Sequence, residues 1–259
     1  WDDDFAGFKE VEPDVFLYRG TPDTLHALPS PLVWTFCYNL SLKDGYPRGT
    51  RVVYDLIDDF AVHPFDPAML QANHRRALRE ADVVAYVARQ LEPFMADRPD
   101  ALYLPNGVED EFFADPHVTR PPDADFERVL AAGRPIAGYY GALAEWFDYP
   151  LLEQTARRRP DWSFVLIGPK YDASLEGQPL LKLPNVHWLG PRHYRALPAY
   201  LREFTVATIP FAINDITLAT SPLKLYEYFA GGKPVITTPM PECMTFPEVQ
   251  IVRTPDEFA

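Results

Sequence analysis

The chain has 259 residues, 47% hydrophobic and 14% aromatic, so it can bury the cores of two domains and is not a disordered protein. Its formal net charge of −13 argues against a nucleic-acid partner, because phosphate backbones need a basic surface. No run approaches the about 18 apolar residues of a membrane span. Two distant cysteines, Cys37 and Cys243, lack metal-ligand spacing and indicate free thiols in a reducing compartment. These features predict a cytoplasmic protein, with a peripheral location at the inner membrane face as an alternative.

Strand and helix patterns alternate from Arg51 onwards. RVVYDLI predicts a buried strand, Asp66-Pro67 predicts the start of a helix through AMLQANHRRALREA, and DVVAYVA predicts the next strand. This alternation is typical of an α/β fold with a mostly parallel sheet. Within the helix, His74 lies beside two arginines and is interpreted as part of a solvated face. Asn106-Gly107 is interpreted as a turn.

The alternation of strand and helix patterns is absent between residues 115 and 134. Adjacent prolines and several charges predict an interdomain linker at residues 116–133, with a first, incomplete domain at residues 1–115. Residues 134–259 then form a second domain, in which PIAGYYG, WSFVLIG, NVHWLG, VATIPF and PVITT are predicted strands. Because the chain opens on Trp1 in an acidic patch and stops at DEFA where a helix begins, we expect pieces to be missing at one or both ends.

The segment TSPLKLYEYFAGGKPV predicts a helix whose start faces an anion. Ser221 is the predicted N-cap, Pro222 suits the first helical position, and a Gly-Gly pair ends the helix. Free N–H groups and the positive dipole end would stabilise a phosphate or diphosphate. Lys224 would add charge, and Glu227 would accept hydrogen bonds from sugar hydroxyls. Ordinary surface charges are the alternative, but the junction of a strand with a helix favours a ligand site.

Glycines follow three successive predicted strands of the second domain. They are Gly141, Gly168 and Gly190, and they would form a rim on which Lys170 and Arg192 supply positive charge. The Gly-x-x-Gly at Gly141 is a common sequence, and a tight turn explains it as well as a ligand loop does.

The corresponding strand end of the first domain carries Asp58 and Asp59, with His63 four residues further on. Paired carboxylates at this edge of a sheet would act as a general base or bind sugar hydroxyls, whereas an Asp turn is the structural alternative. The expected sheet geometry favours side chains that face the cleft between the domains.

Several segments, in chain order, resemble bacterial glycosyltransferases similar to family 4. They are IDDFAVHP, ALREADVVAYVARQL, LYLPNGVEDEFF, GYYGALAEWFDYPLL, WSFVLIGP, LPNVHWLGPRHYRALPAYL and TSPLKLYEYFAGGKPVITTP. The resemblance runs from about residue 50 to the end and implies the GT-B fold, in which two Rossmann-like domains face a cleft.

The resemblance also implies roles for individual residues. Glu227 matches the second Glu of the family's Glu-x7-Glu motif, which binds the nucleotide ribose, whereas Ala219 stands where the first Glu would fall. Asp58 falls near the family's His-Asp pair that approaches the donor sugar. The usual Arg/Lys pair is not evident in ALAEWF, and Lys224 would take part of its role. The residues that would bind the nucleotide sugar are Gly141, Arg192, Ser221, Pro222, Leu223, Lys224 and Glu227.

The predicted activity is transfer of a sugar from a nucleoside-diphosphate donor to an acceptor hydroxyl. The donor would bind residues 134–259 and the acceptor residues 1–115, with Asp58, Asp59 and Lys224 as catalytic residues. A retaining route is expected from the resemblance, and an inverting route with an Asp as base stays open. The acceptor is unidentified and could be a glycan, a lipid-linked molecule or a small molecule. A GT-B-type sugar-nucleotide epimerase and a non-enzymatic carbohydrate- or nucleotide-binding protein are the alternatives.

We expect no cofactor and no metal. Asp2-Asp3-Asp4 and Asp58-Asp59 are the acidic strings that would suit a divalent ion. Both belong to the domain away from the predicted Ser221 helix, where the helix start and Lys224 already supply positive potential.

Overall fold

The computed structural model describes residues 6–13, 15–19, 32–46, 49–63 and 65–259. Contacts divide the chain into two compact units, one of Trp1–Tyr86 with Glu92–Tyr103 and one of Val87–Leu91 with Leu104–Ala259. Each unit has its own parallel sheet, as the alternation of strand and helix patterns predicts. In the described part of the chain, every helix is too short or too polar to cross a lipid bilayer.

The first unit combines a hairpin with a four-stranded parallel sheet. Its elements are β1 (Gly7–Glu12), β2 (Val15–Arg19), β3 (Leu32–Thr35), β4 (Arg51–Leu56), α1 (Pro67–Glu80), β5 (Val83–Tyr86) and β6 (Leu102–Tyr103). The sheet order is β3-β4-β5-β6, and among the described residues β1 and β2 form a separate two-stranded sheet. The predicted start of α1 is confirmed, because the Asp66 side chain accepts a hydrogen bond from the Ala68 amide at 3.0 Å.

The second unit contains a six-stranded parallel sheet of order β12-β11-β10-β7-β8-β9. Its elements are α2 (Asp110–Ala114), α3 (Ala124–Ala131), β7 (Ile136–Tyr140), α4 (Tyr149–Arg158), β8 (Ser163–Ile167), β9 (Val186–Gly190), α5 (Leu197–Glu203), β10 (Val206–Ile209), α6 (Asp215–Leu218), α7 (Leu223–Ala230), β11 (Val235–Thr237), β12 (Val249–Ile251) and α8 (Pro255–Phe258). Strands β7, β8 and β10 are buried throughout, which explains their apolar sequences. The strand order reverses between β7 and β10, and open α/β sheets bind ligands at the carboxyl ends of such strands.

The range predicted as a linker, residues 116–133, contains helix α3. Phe126 and Val129 of this helix are buried in the second core. Asp123 caps α3 and forms an ion pair with Arg192 at 2.8 Å. Contacts therefore group this range with the second unit, although its prolines and charges suggest an open connection. The division into an acceptor-side and a donor-side domain stays a prediction.

The interpretation of His74 as solvated is wrong. His74 is 5% exposed, and its Nε2 lies 3.0 Å from the Phe94 carbonyl, which can only accept a hydrogen bond. The ring therefore donates from Nε2, and its Nδ1 accepts from the Tyr54 hydroxyl at 2.9 Å. Burial lowers the pKa of His74, which keeps the ring neutral. His74 shares the buried face of α1 with Leu70, Ala77 and Leu78, whereas Arg75 is exposed and Arg76 half-buried.

Replacing His74 should destabilise the first unit selectively. His74→Ala leaves a cavity and removes the partner of the buried Tyr54 hydroxyl, so we expect the free energy of unfolding to fall by about 2–4 kcal/mol. Hydrogen–deuterium exchange of peptides from β4 measures this loss. His117→Ala, at an exposed loop position, is the control and should leave β4 unchanged. Equal protection of β4 in both variants would contradict the structural role of His74.

Candidate functional site

A cavity of about 280 Å³ opens at the carboxyl ends of β7 and β8 in the second unit. Its lining includes Tyr140, Gly141, Gly168, Arg192, Tyr194, Leu223, Lys224 and Glu227. Most residues predicted to bind a nucleotide sugar thus meet at one cavity. Ser221 and Pro222 lie next to it, in the loop that leads into α7.

The floor of the cavity is backbone from the turns that follow β7 and β8. Gly141 and Gly168 have φ values of 137° and 150°, which side-chain-bearing residues rarely adopt. A Cβ atom at Gly168 would lie 1.9 Å from the Gly141 carbonyl oxygen. The Gly141 amide donates to the Ile167 carbonyl at 2.9 Å, which holds the two turns together. Glycine at these strand ends allows the two turns to touch and leaves the space above them open.

Helix α7 begins one residue later than predicted, with Pro222 as the N-cap, and no side chain caps it. The expected role of Ser221 as N-cap is therefore wrong. The Ser221 carbonyl instead accepts a hydrogen bond from Asn106 Nδ2 at 2.7 Å. Asn106 therefore anchors the loop that leads into α7. Leu225 donates the first helical hydrogen bond, to the Pro222 carbonyl at 2.9 Å. The amides of Leu223 and Lys224 precede it and lie at the positive end of the helix.

The ammonium group of Lys224 lies among aromatic rings. Its Nζ is 4.9 Å from the centroid of the Phe211 ring and 5.7 Å from that of Tyr139. Burial lowers the pKa of Lys224 to about 8, although the charge of Glu227 acts in the opposite direction. An anion in the cavity would stabilise the protonated form, because it adds negative charge near a cation that has lost much of its water.

Glu227 is the buried carboxylate of the cavity, with 3% of its surface exposed. Burial raises its pKa, whereas the hydroxyl of Tyr140, the charge of Lys224 and the hydroxyl of Tyr194 favour the ionised form. Sequence analysis missed both tyrosines. Tyr140 had a detectable signal, since it directly precedes the glycine that ends β7. Tyr194 follows β9 by several residues, and its sequence neighbourhood carries no such signal.

Arg192 lines the cavity, but much of its hydrogen-bonding capacity is used by the protein. Its Nε donates to Asp123 at 2.8 Å and to the Tyr200 hydroxyl at 3.2 Å, and one terminal nitrogen donates to the carbonyls of Leu189 and Pro191. Arg192 therefore joins α3 to the turn after β9. A role in ligand binding stays a prediction.

Lys170, predicted to add charge to the rim, forms an ion pair with Glu176 at 2.5 Å. It is not among the cavity residues.

Asp58 and Asp59 follow β4 in the first unit and are half-buried. Burial and the neighbouring Asp59 raise the pKa of Asp58 to about 6. A carboxyl group with this pKa exchanges protons near neutral pH, which suits a general base. Among the described residues, no group of His, Cys, Asp and Glu side chains has the arrangement of a metal site. Asp2-Asp3-Asp4 lies outside the described residues.

Comparison with known sequences supports a glycosyltransferase relationship for the part that carries the cavity. Residues 134–258 match the family model described as Glycosyl transferases group 1. TuaH of Bacillus subtilis (strain 168), assigned by its name to teichuronic acid biosynthesis as a glycosyltransferase, is 28% identical over 208 residues. The match covers 74% of this chain and 51% of TuaH, so the chain spans about half the length of this relative.

Comparison with solved structures shows the GT-B fold. Anabaena Alr3699/HepE, solved in complex with UDP and glucose, matches 86% of this chain and 65% of its own with a TM-score of 0.63 and 16% identity. The α,α-trehalose 6-phosphate synthase from Burkholderia multivorans matches 90% of this chain and 62% of its own, with a TM-score of 0.62 and 17% identity. The predicted fold class, GT-B-like with two Rossmann-like units, is confirmed.

The unusual environment of Lys224 predicts an unusual titration. After reductive methylation with ¹³C-formaldehyde, the NMR signal of Lys224 should titrate near pH 8, well below the ordinary lysine pKa of about 10.4. Inorganic pyrophosphate should raise the midpoint of Lys224 alone. The unfolded chain holds this proton to higher pH than the folded chain does, so the stability of the second unit should rise between pH 8 and about 10.4. A midpoint of Lys224 at the ordinary lysine value would contradict the burial of the ammonium group.

Proposed function

We propose that this protein is a glycosyltransferase that moves a sugar from a nucleoside-diphosphate donor to an acceptor hydroxyl. The observation that supports it most is the cavity at the start of α7, where Lys224 and Glu227 meet the glycine turns after β7 and β8. The whole cavity lies within residues 134–258, which match Glycosyl transferases group 1. HepE was solved with UDP and glucose, so a UDP-sugar is the first donor to test.

In this proposal the donor diphosphate lies against the start of α7. The amides of Leu223 and Lys224 and the Lys224 ammonium group face its oxygens, and Glu227 accepts hydrogen bonds from the ribose hydroxyls. Negative charge on the diphosphate grows as its oxygen separates from the anomeric carbon. The same groups therefore stabilise the transition state more than the bound donor.

The acceptor oxygen forms the new bond to the anomeric carbon, and its proton needs a base. We propose a retaining route, in which the leaving diphosphate takes this proton while Asp58 and Asp59 orient the sugar or the acceptor. Asp58, with its pKa raised to about 6, would serve as the base in an inverting route. The stereochemistry of the product distinguishes the two. We also propose a cytoplasmic location.

Glu227 should be the strongest side-chain determinant of nucleotide affinity. We expect Glu227→Ala to weaken UDP binding by about 1.5–3 kcal/mol, because a carboxylate that accepts two hydroxyl hydrogen bonds is lost. Isothermal titration calorimetry with UDP, ADP and GDP measures the effect on the tightest ligand. Glu248→Ala, which removes an exposed carboxylate away from the cavity, is the matched control. Equal affinities of the two variants would contradict the ribose-binding role.

Nucleotide binding should not require a divalent metal. The start of α7 and Lys224 supply positive charge where a metal would otherwise neutralise the diphosphate. The dissociation constant of the tightest nucleoside diphosphate should therefore change less than about twofold between excess EDTA and added Mg²⁺ or Mn²⁺. Binding that disappears in EDTA and returns with metal would contradict this expectation and direct attention to Asp58 and Asp59.

A further inference from the structure

One residue in the wall of the cavity has a buried hydroxyl group that lacks a well-formed hydrogen bond. Tyr140 is 3% exposed and lines the cavity, and its hydroxyl has no partner at good hydrogen-bond geometry among the described residues, although the Glu227 carboxylate lies close to it. Buried hydroxyl groups are nearly always paired, because an unpaired one loses its hydrogen bonds to water without replacement. A hydroxyl of this kind at a cavity indicates that a bound ligand supplies the missing hydrogen-bond partner.

The Tyr140 side chain is held in place by Tyr228. The two rings meet edge to face, with centroids 4.8 Å apart, and the Tyr140 amide donates to the Tyr228 hydroxyl at 3.2 Å. Tyr228 is itself fully buried in α7. Because this contact fixes the ring of Tyr140, its hydroxyl is presented at a constant position, as pre-organised binding groups are.

Glu227 supplies the complementary group. Its carboxylate is also buried at the cavity, and it lies near enough to the Tyr140 hydroxyl for each group to affect the pKa of the other. The phenol can donate a hydrogen bond, whereas the ionised carboxylate can only accept one. A ligand hydroxyl can satisfy both, since it accepts from Tyr140 and donates to Glu227.

We propose that Tyr140 and Glu227 together bind one sugar hydroxyl of the nucleotide, so that Tyr140 makes the cavity specific for a ribonucleotide over the deoxy form that lacks this hydroxyl. This inference rests on the proposed function and extends it to a residue outside the segment of α7. A site built around such a pair rejects the deoxy analogue, because the analogue leaves both buried groups unpaired.

Tyr194 does not serve the same purpose. It also lies near Glu227, but it is half exposed and stacks on Phe112 with centroids 5.9 Å apart. Water can therefore pair with its hydroxyl when the cavity is empty. The buried hydroxyl of Tyr140 has no such substitute.

The test compares Tyr140→Phe with the unmodified protein by calorimetry. The probes are UDP, ADP and GDP, and the 2′-deoxy and 3′-deoxy forms of whichever binds most tightly. The unmodified protein should prefer the ribonucleotide to one deoxy form by at least about tenfold, and Tyr140→Phe should lose about tenfold in affinity for the ribonucleotide while binding that deoxy form as before. Tyr171→Phe, which removes an exposed phenol away from the cavity, should change neither affinity.

Thermal unfolding without nucleotide separates a ligand-binding role from a structural one. Tyr140→Phe should leave the Tm unchanged or raise it, because it removes a buried hydroxyl that has no well-formed hydrogen bond. Tyr228→Phe should lower the Tm, because it removes the oxygen that pairs with the Tyr140 amide.

Three results would overturn the inference alone. The first is an affinity of Tyr140→Phe for the ribonucleotide within twofold of that of the unmodified protein. The second is an equal loss of affinity for the ribonucleotide and its deoxy form, and the third is a clear fall in the Tm of Tyr140→Phe. Absence of nucleotide binding by the unmodified protein would overturn the proposed function, and this inference with it.

Discussion

The contact between the turns that follow β7 and β8 is the constraint on which the candidate site depends. No side chain fits between Gly168 and the carbonyl of Gly141, so two neighbouring strands end in bare backbone. Parallel pairing brings these ends to the same edge of the sheet, next to the start of α7. The open space above the turns is therefore a consequence of strand pairing together with two glycines.

The cavity carries positive groups, Arg192 and Lys224, on a molecule whose net charge is negative. A net charge of −13 repels anions at long range, so an anionic ligand depends on short-range groups. Lys224 and Glu227 lie three residues apart on one helix. Burial lowers the pKa of Lys224 and raises the pKa of Glu227, and both shifts favour the neutral form of the side chain. A ligand that carries both a diphosphate and hydroxyl groups would stabilise the two charged forms at once. This reciprocal effect links the electrostatics of the cavity to the class of ligand that we propose.

Much of the fold could be predicted because it depends on local patterns. Apolar runs identify strands, and Asp66 before Pro67 identifies the start of α1. Other features escaped prediction because distant contacts override local signals. The prolines of residues 116–133 suggest a linker, but Asp123 pairs with Arg192, 69 residues away, and draws α3 into the second unit. Ser221 suits an N-cap, but Asn106, 115 residues away, binds its carbonyl.

The sequence by itself determined that Lys224 and Glu227 share one helix beside a strand end, because three residues of helix place side chains on the same face whatever surrounds them. It also determined the GT-B-like alternation of strands and helices. Only the tertiary structure decided that His74 is buried and that Tyr140, with its buried hydroxyl, lines the cavity together with Glu227. Burial and pairing depend on which atoms from other segments surround a group, and a single position in the sequence carries no record of those neighbours.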